Sequence, residues 1–281
     1  MENTENLDSC PWCESCENEK WGDPLRGFVT VKCKSCSLIF VKNRLNSKGL
    51  INYYSNYFSE IHQEDLSLNL LRKEMYIIEY NYVKDYFHKK LLKVLDVGCS
   101  GGFFLDEFSK DGHECFGVEF GEEAAREAKN KYKIYEGVFN ELNIKEKFDL
   151  IVFRGVIEHI PYPKKYLEKA YELLNKDGLL YITSTPNSDA VSCELFKEKW
   201  NQHTPEEHLM HFNPNHFKNY LNKFDMKELN RKFLYEETPY SNIEDDILKV
   251  AEAIKMKRKN NKINFVSPAF YGNMMSLIYR K

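Results

Sequence analysis

From position 64 to 90 apolar residues recur at intervals of three and four: Leu68, Leu71, Met75, Ile78, Tyr82 and Phe87. This period predicts a long amphipathic helix from about Glu64 to Lys90. Short apolar runs and helical stretches then alternate. Val94-Leu95-Asp96-Val97 predicts a strand, and Phe103 to Lys110 a helix. Cys115 to Glu119 predicts a second strand, and Glu122 to Lys131 a second helix. Asp149 to Phe153 reads as a buried strand, Lys164 to Leu174 as a helix, and Leu179 to Thr183 as a further strand. Strands separated by helices imply an α/β domain with a mostly parallel sheet covered on both faces.

The rhythm changes after position 186. Asn187 to Phe212 reads as an irregular insertion, Asn215 to Lys223 as a helix, and Lys227 to Tyr235 as an edge strand. Ile243 to Lys257 has helical spacing, and Met274 to Tyr279 can close the sheet. The first 60 residues differ again. Short extended stretches, Phe28 to Val31 and Leu38 to Val41, lie among cysteines, and a connector from Asn52 to Phe58 is aromatic and polar.

Composition narrows the class. A chain of 281 residues, 42% hydrophobic and 30% charged, suits one α/β domain with a small accessory module. The formal net charge of −3 gives no general attraction to nucleic acid, and Lys255 to Lys259 reads as a solvated helix end. No apolar run approaches the roughly 20 residues that span a bilayer, and the acidic amino end is unlike a secretory signal. A cytoplasmic protein is expected. Five of the eight cysteines fall within the first 36 residues. Cys10-Pro11-Trp12-Cys13 and Cys33-Lys34-Ser35-Cys36 form two C-x2-C turns, the pattern of a four-thiolate structural zinc site. Cys16 leaves an alternative, in which Cys13 and Cys16 supply the first pair.

The segment from Leu95 to Phe103 carries the most chemistry. A strand ends near an acid, Asp96, and a glycine-rich turn (Gly98-Cys99-Ser100-Gly101-Gly102) leads into a helix. In a doubly wound sheet this is a ligand-binding position, and Glu119 ends the next strand about 20 residues on, where an acid can accept hydrogen bonds from ribose hydroxyls. The G-x-G-x-x-G form that suits a dinucleotide is absent.

This segment resembles the first motif of class I S-adenosylmethionine-dependent methyltransferases. The resemblance continues through Phe148 to Ile151, Val156-Ile157-Glu158-His159-Ile160 and Leu173 to Leu180. It implies a Rossmann-like, mostly parallel seven-stranded sheet at 91–281, with an acceptor-side insertion at 187–212. A zinc-ribbon-like cysteine-knuckle module at 1–60 and a linking helix at 61–90 would precede it. Ser100 stands where the family usually has a glycine. By resemblance Asp96, Gly98, Cys99, Ser100, Gly102 and Glu119 hold the cofactor, Phe139 and Asn140 flank adenine, and Arg154 with Gly155 borders the methionine part. The cysteine layout is similar to modules that precede some bacterial sugar methyltransferases.

Transfer from a sulfonium is an in-line displacement, helped by a base when the acceptor is a hydroxyl. His159 is the leading base candidate. His203, His208 and His211 in the insertion are candidate substrate residues, with Glu206, Glu207 and His216 nearby; His208 and His211 on one helical turn also suit a metal. Tyr53, Tyr54 and Tyr57 suggest a lid. The leading expectation is an O-methyltransferase for a sugar or other small hydroxylated metabolite, such as a surface-glycan precursor. An RNA methyltransferase and a non-catalytic, cofactor-binding zinc-knuckle protein are the alternatives.

Overall fold

The computed structural model describes residues 3–61 and 66–281, the side chains of 55–61, 66 and 67 excepted. Three short strands open the fold: β1 (Asn18–Lys20), β2 (Thr30–Cys33) and β3 (Ile39–Val41). Two helices follow, α1 (Ser47–Ile61) and α2 (Leu66–Lys84). The expected start of the second at Glu64 lies outside the described residues. It also ends before Lys90, because the chain turns after Lys84 and Phe87 packs edge-on against His113, with ring centroids 5.3 Å apart.

The central succession is β4 (Lys93–Val97), α3 (Phe103–Lys110), β5 (Glu114–Glu119), α4 (Glu122–Lys129), β6 (Lys133–Glu136), β7 (Phe148–Arg154), α5 (Pro163–Leu173) and β8 (Leu174–Pro186). The remainder is α6 (Val191–Phe196), β9 (Met210–His211), α7 (Pro214–Leu221), β10 (Lys227–Lys232), α8 (Ile243–Arg258) and β11 (Met274–Arg280). The connector at 52–58 is therefore helical, and the insertion is more ordered than its irregular pattern suggests.

The large sheet runs β10-β11-β8-β7-β4-β5-β6. Its five strands from β8 to β6 pair in parallel, and β11 pairs antiparallel with both β8 and β10. Alternate residues separate the two faces. Leu95, Val97, Ile151 and Phe153 join the core that includes Tyr166, Leu167 and Ala170 of α5. Val94, Leu150 and Val152 face the core that includes Tyr80 and Val83 of α2 and Phe104, Leu105 and Phe108 of α3.

The small sheet runs β1-β2-β3-β9, so the insertion supplies its fourth strand: Ile39 pairs with His211 and Phe40 with Met210. Trp12, between two of the cysteines, lies 5.3 Å from both Phe212 and Tyr220, ring centre to ring centre, in the core shared with α5 and α7. The basic run at 255–259 closes α8, which begins with Glu244, Asp245 and Asp246 and has Lys255, Lys257 and Arg258 in its last turn, complementing the helix dipole. Among the described residues, no helix is long and apolar enough to cross a membrane.

Candidate active site

The glycine turn lies at the carboxyl end of β4. Gly98 and Cys99 donate their backbone N–H groups to the Val118 carbonyl at 2.8 and 3.0 Å, tying the turn to β5. Gly98 has φ 78°, and a Cβ built there would sit 2.6 Å from Val156 Cγ2, so both backbone angle and space favour glycine. Gly102 (φ 78°) precedes α3. Ser100 also adopts a left-handed conformation, at φ 48°, and its N–H donates to Glu119 Oε2 at 2.9 Å. Glu119 Oε1 accepts from Phe120 N and Gly121 N, both at 2.8 Å. The acid of β5 thus also organises the turns around it.

Asp96 is buried, and its Oδ1 has no hydrogen-bond partner among the described residues. Burial pushes its carboxyl up to about 7, against the pull of Arg154. An unpaired carboxylate oxygen is costly inside a protein and commonly marks a position that a ligand completes. Exposed Phe120 and Val138 follow β5 and β6 at the same edge and offer an apolar flank. Orphaned acid, open-backbone turn, second acid and apolar flank fit an adenosyl sulfonium ligand.

Two expected cofactor side chains are turned elsewhere. Phe139 is buried against Phe153 and Tyr166, at ring distances of 6.0 and 5.5 Å, so its ring serves the core instead of flanking adenine; Asn140 beside it is half-buried. Cys99 is buried beneath Gly117, whose added Cβ would lie 2.4 Å from the Cys99 sulfur, leaving backbone to face a ligand. Arg154 ends β7, and its Nε donates to Glu79 Oε2 of α2 at 2.6 Å. Its guanidinium lies 4.4 Å from the Tyr76 ring centre. Gly155 follows with φ 58° and donates to the Thr183 carbonyl at 2.9 Å.

Beyond Arg154 opens a cavity of 460 Å³, lined by Glu79, Arg154 and Ser184, by the amides of Asn201, Gln202 and Asn273, and by Tyr235, Tyr240 and Phe270. Glu79 is fully buried and also accepts from Thr183 Oγ1 at 2.7 Å and Ser184 Oγ at 2.6 Å. Glu79 carries no motif that marks it in the sequence. Its signal was positional: an acid four residues from both Met75 and Val83, which are buried on the same helix.

His159 does not line this cavity. Its Nδ1 is 2.8 Å from Tyr54 Oη, and its ring centre is 4.7 Å from that of His208. Burial holds His159 well below 6.5, so the ring is neutral near pH 7. Tyr57, the third residue of the expected lid, lies outside the described side chains.

The other two insertion histidines are not pocket residues. His203 Nδ1 is 2.9 Å from His211 Nε2, and His203 Nε2 is 3.3 Å from Thr30 Oγ1. Both rings are buried between the insertion and the small sheet, beside Trp21 and Trp200. His211 belongs to β9, so it shares no helical turn with His208. Glu206 pairs with Arg26 at 2.6 Å, and His216 forms the capping box of α7 with Asn213.

Cys10, Cys13, Cys33 and Cys36 form one cluster. Cys10 and Cys36 sulfurs are 3.6 Å apart, those of Cys13 and Cys33 3.5 Å, and all four sulfurs lie within 4.8 Å of one another. A zinc ion with sulfurs at about 2.3 Å sets tetrahedral edges of about 3.8 Å, which this cluster fits. Cys16 is exposed and outside the group.

Residues 68–229 match a family described as a methyltransferase domain. A ubiquinone biosynthesis O-methyltransferase of Glaesserella parasuis serovar 5 is 34% identical over 116 residues, which cover 37% of this chain and 49% of that protein. One of Pelagibacter ubique is 29% identical over 120 residues, 38% of this chain and 50% of that protein. The chain thus spans about half the length of the curated relatives it matches. Among solved structures, magnesium protoporphyrin IX methyltransferase from Synechocystis PCC 6803, with bound SAH, aligns with a TM-score of 0.55 at 11% identity, covering 82% of this chain and 99% of that one. A possible histamine N-methyltransferase from Thermotoga maritima aligns at 0.51 and 17% identity, covering 82% and 95%. At these identities the likeness is one of fold. The chain belongs to the methyltransferase-domain family, with the Rossmann-like fold of class I S-adenosylmethionine-dependent methyltransferases.

Proposed function

We propose that the protein transfers a methyl group from S-adenosylmethionine to a hydroxyl of a sugar or other small hydroxylated metabolite. The observation that carries this reading is the unpaired, buried Asp96 Oδ1 at the glycine turn, with Glu119 on the next strand and the cavity beyond Arg154. Bound donor supplies an electrophilic methyl on a positive sulfur. Asp96 complements positive charge on the ligand, Glu119 receives hydroxyl hydrogens, and the backbone of residues 98–102 lets the ligand approach closely. Arg154, fixed by Glu79, separates this position from the acceptor side.

The cavity's 460 Å³ falls within the roughly 300–1,000 Å³ usual for small-molecule sites. Aromatic walls with the polar residues Asn201, Gln202 and Ser184 suit the apolar faces and hydroxyls of a sugar, while the buried Asn273 amide is held by Ser192, Trp200, Asn201 and Pro268. The relatives named as O-methyltransferases support oxygen as the acceptor atom. We assign the acceptor's proton, when no ion is bound, to the group formed by Glu158, His159 and His208, which lies outside the cavity lining and meets it at Gln202. His208 Nδ1 contacts the carbonyl of Gln202, which also lines the cavity. We further infer that the four cysteines hold a structural zinc, since four protein thiolates leave no open position. Such thiolates stay available in a reducing compartment, which supports assignment to the cytoplasm.

The test is incubation with methyl-labelled S-adenosylmethionine and panels of nucleotide sugars, glycans, phenols and RNA, read by mass spectrometry. Label on a sugar or small-metabolite hydroxyl is expected; label on RNA alone overturns the acceptor assignment.

A further inference from the structure

Glu158, His159 and His208 each offer one ligand atom, and the three atoms lie within 4.8 Å of one another. Glu158 is 1% exposed, and its Oε2 has no hydrogen-bond partner among the described residues. Thr185 beside it bonds the Glu158 carboxyl group and also reaches the Thr183 carbonyl at 3.3 Å, which leaves Oε2 unpaired. A carboxylate oxygen in that state is completed by a proton or by a cation.

The two rings are arranged for a cation. His208 Nδ1 lies 2.6 Å from the Gln202 carbonyl oxygen, an acceptor only, so Nδ1 carries the hydrogen and Nε2 keeps its lone pair. His159 Nδ1 is likewise engaged, by Tyr54 Oη at 2.8 Å, while its Nε2 points to Glu158 Oε1 at 3.9 Å. His208 thus has one nitrogen fixed by an oxygen and the other left for the cluster, as metal-binding histidines are held, while the His159 ring also bonds the Glu207 backbone, a contact that a bound ion would displace. Both rings are partly exposed, which leaves a path for an ion, and Glu207 adds negative charge close by.

We propose that Glu158, His159 and His208 form a second metal site, separate from the four cysteines, that takes a divalent transition-metal ion. Two imidazoles and one carboxylate are a common ligand set for first-row divalent ions, with positions left for water or substrate. The binding claim stands on these three residues. Its use in catalysis rests on the methyl-transfer reading: an acceptor hydroxyl held on the ion would give its proton up to solvent water more readily, so that with the ion bound no free imidazole is needed to receive it.

The test adds Co²⁺ to the zinc-loaded protein of 281 residues and follows visible absorption, calorimetry and metal content. One additional equivalent is expected, with the weak visible bands of nitrogen and oxygen ligands and no thiolate charge-transfer band. His208→Asn and Glu158→Gln should each weaken it at least tenfold while circular dichroism stays that of the folded protein. If a variant does not fold, the wild-type spectrum and stoichiometry still decide. No additional equivalent, a thiolate spectrum, or uptake unchanged in both variants overturns the site. Binding of S-adenosylhomocysteine, measured on the same samples, separates the two readings. Donor product bound without a second ion overturns the site alone, and a second ion bound without donor product overturns methyl transfer alone.

Discussion

Arg154 Nε donates to Glu79 Oε2 across 2.6 Å, joining the end of β7 to the middle of α2. Glu79 has no exposed surface, and its other oxygen holds Thr183 and Ser184 of β8. One carboxylate therefore sets the position of a helix, two strands and a guanidinium that lines the cavity.

Glu79→Gln should accordingly cost about 3 kcal/mol, because it leaves a largely buried guanidinium without its counter-charge. Denaturant unfolding measures the loss. Acceptor turnover should fall more than affinity for S-adenosylhomocysteine, since the cavity wall moves while Asp96 and Glu119 stay. A change under 1 kcal/mol contradicts the role given to Glu79.

Asp96 links stability to pH. Its folded carboxyl is raised to about 7, whereas in the unfolded chain it titrates near 4. Between these values the folded state binds the extra proton, so this group's contribution to stability falls as pH rises from about 4 to 7 and levels off above. Asp96→Asn should remove that dependence, leaving the variant a few kcal/mol more stable than wild type at pH 8, with little difference near pH 4. The same change should weaken donor binding. Denaturation curves at pH 5, 6.5 and 8 check the sign; a wild-type advantage that grows with pH refutes it.

At Gly98 the strain is geometric. Gly98→Ala places a methyl 2.6 Å from Val156 Cγ2 at φ 78°. Loss of about 1–3 kcal/mol is expected, with donor affinity down at least tenfold. Gly27, at φ +84° with nothing within 4 Å of an added Cβ, provides the control: Gly27→Ala should leave donor affinity unchanged.

Much of this arrangement was readable from the chain. The Phe103–Lys110 helix emerged with its observed limits because a glycine turn precedes it and its apolar spacing is regular. The buried strand β7 was visible as a continuous apolar run. β6 was not: Lys133-Ile134-Tyr135-Glu136 is a short edge strand with no apolar run. α1 was also hidden, because the aromatic and polar residues of 52–58 lack a clean helical period. Phe139 and Glu79 were misread or missed for a common reason. Their roles depend on partners far along the chain, Tyr166 for one and Arg154 and Thr183 for the other. The cysteine cluster was legible because each C-x2-C turn is local, whereas its fourth strand, β9, comes from about 170 residues later.

That pairing gives the zinc assignment a reach beyond the cysteines. Stripping metal with a chelator should lower Tm by about 5 °C or more. Hydrogen exchange should rise at 39–41 and also at Met210 and His211, which pair with β3. Loss of protection confined to residues near 10–36, or no bound zinc in purified protein, would count against a structural metal.

The central claim is that the turn after Asp96, together with Glu119, holds an adenosyl sulfonium donor. Titration calorimetry of the folded protein with S-adenosylmethionine and S-adenosylhomocysteine tests it most directly. One equivalent of each should bind, at least tenfold more weakly in Asp96→Asn and in Glu119→Gln. Absence of binding by well-folded wild type, or affinity untouched by both substitutions, would contradict it.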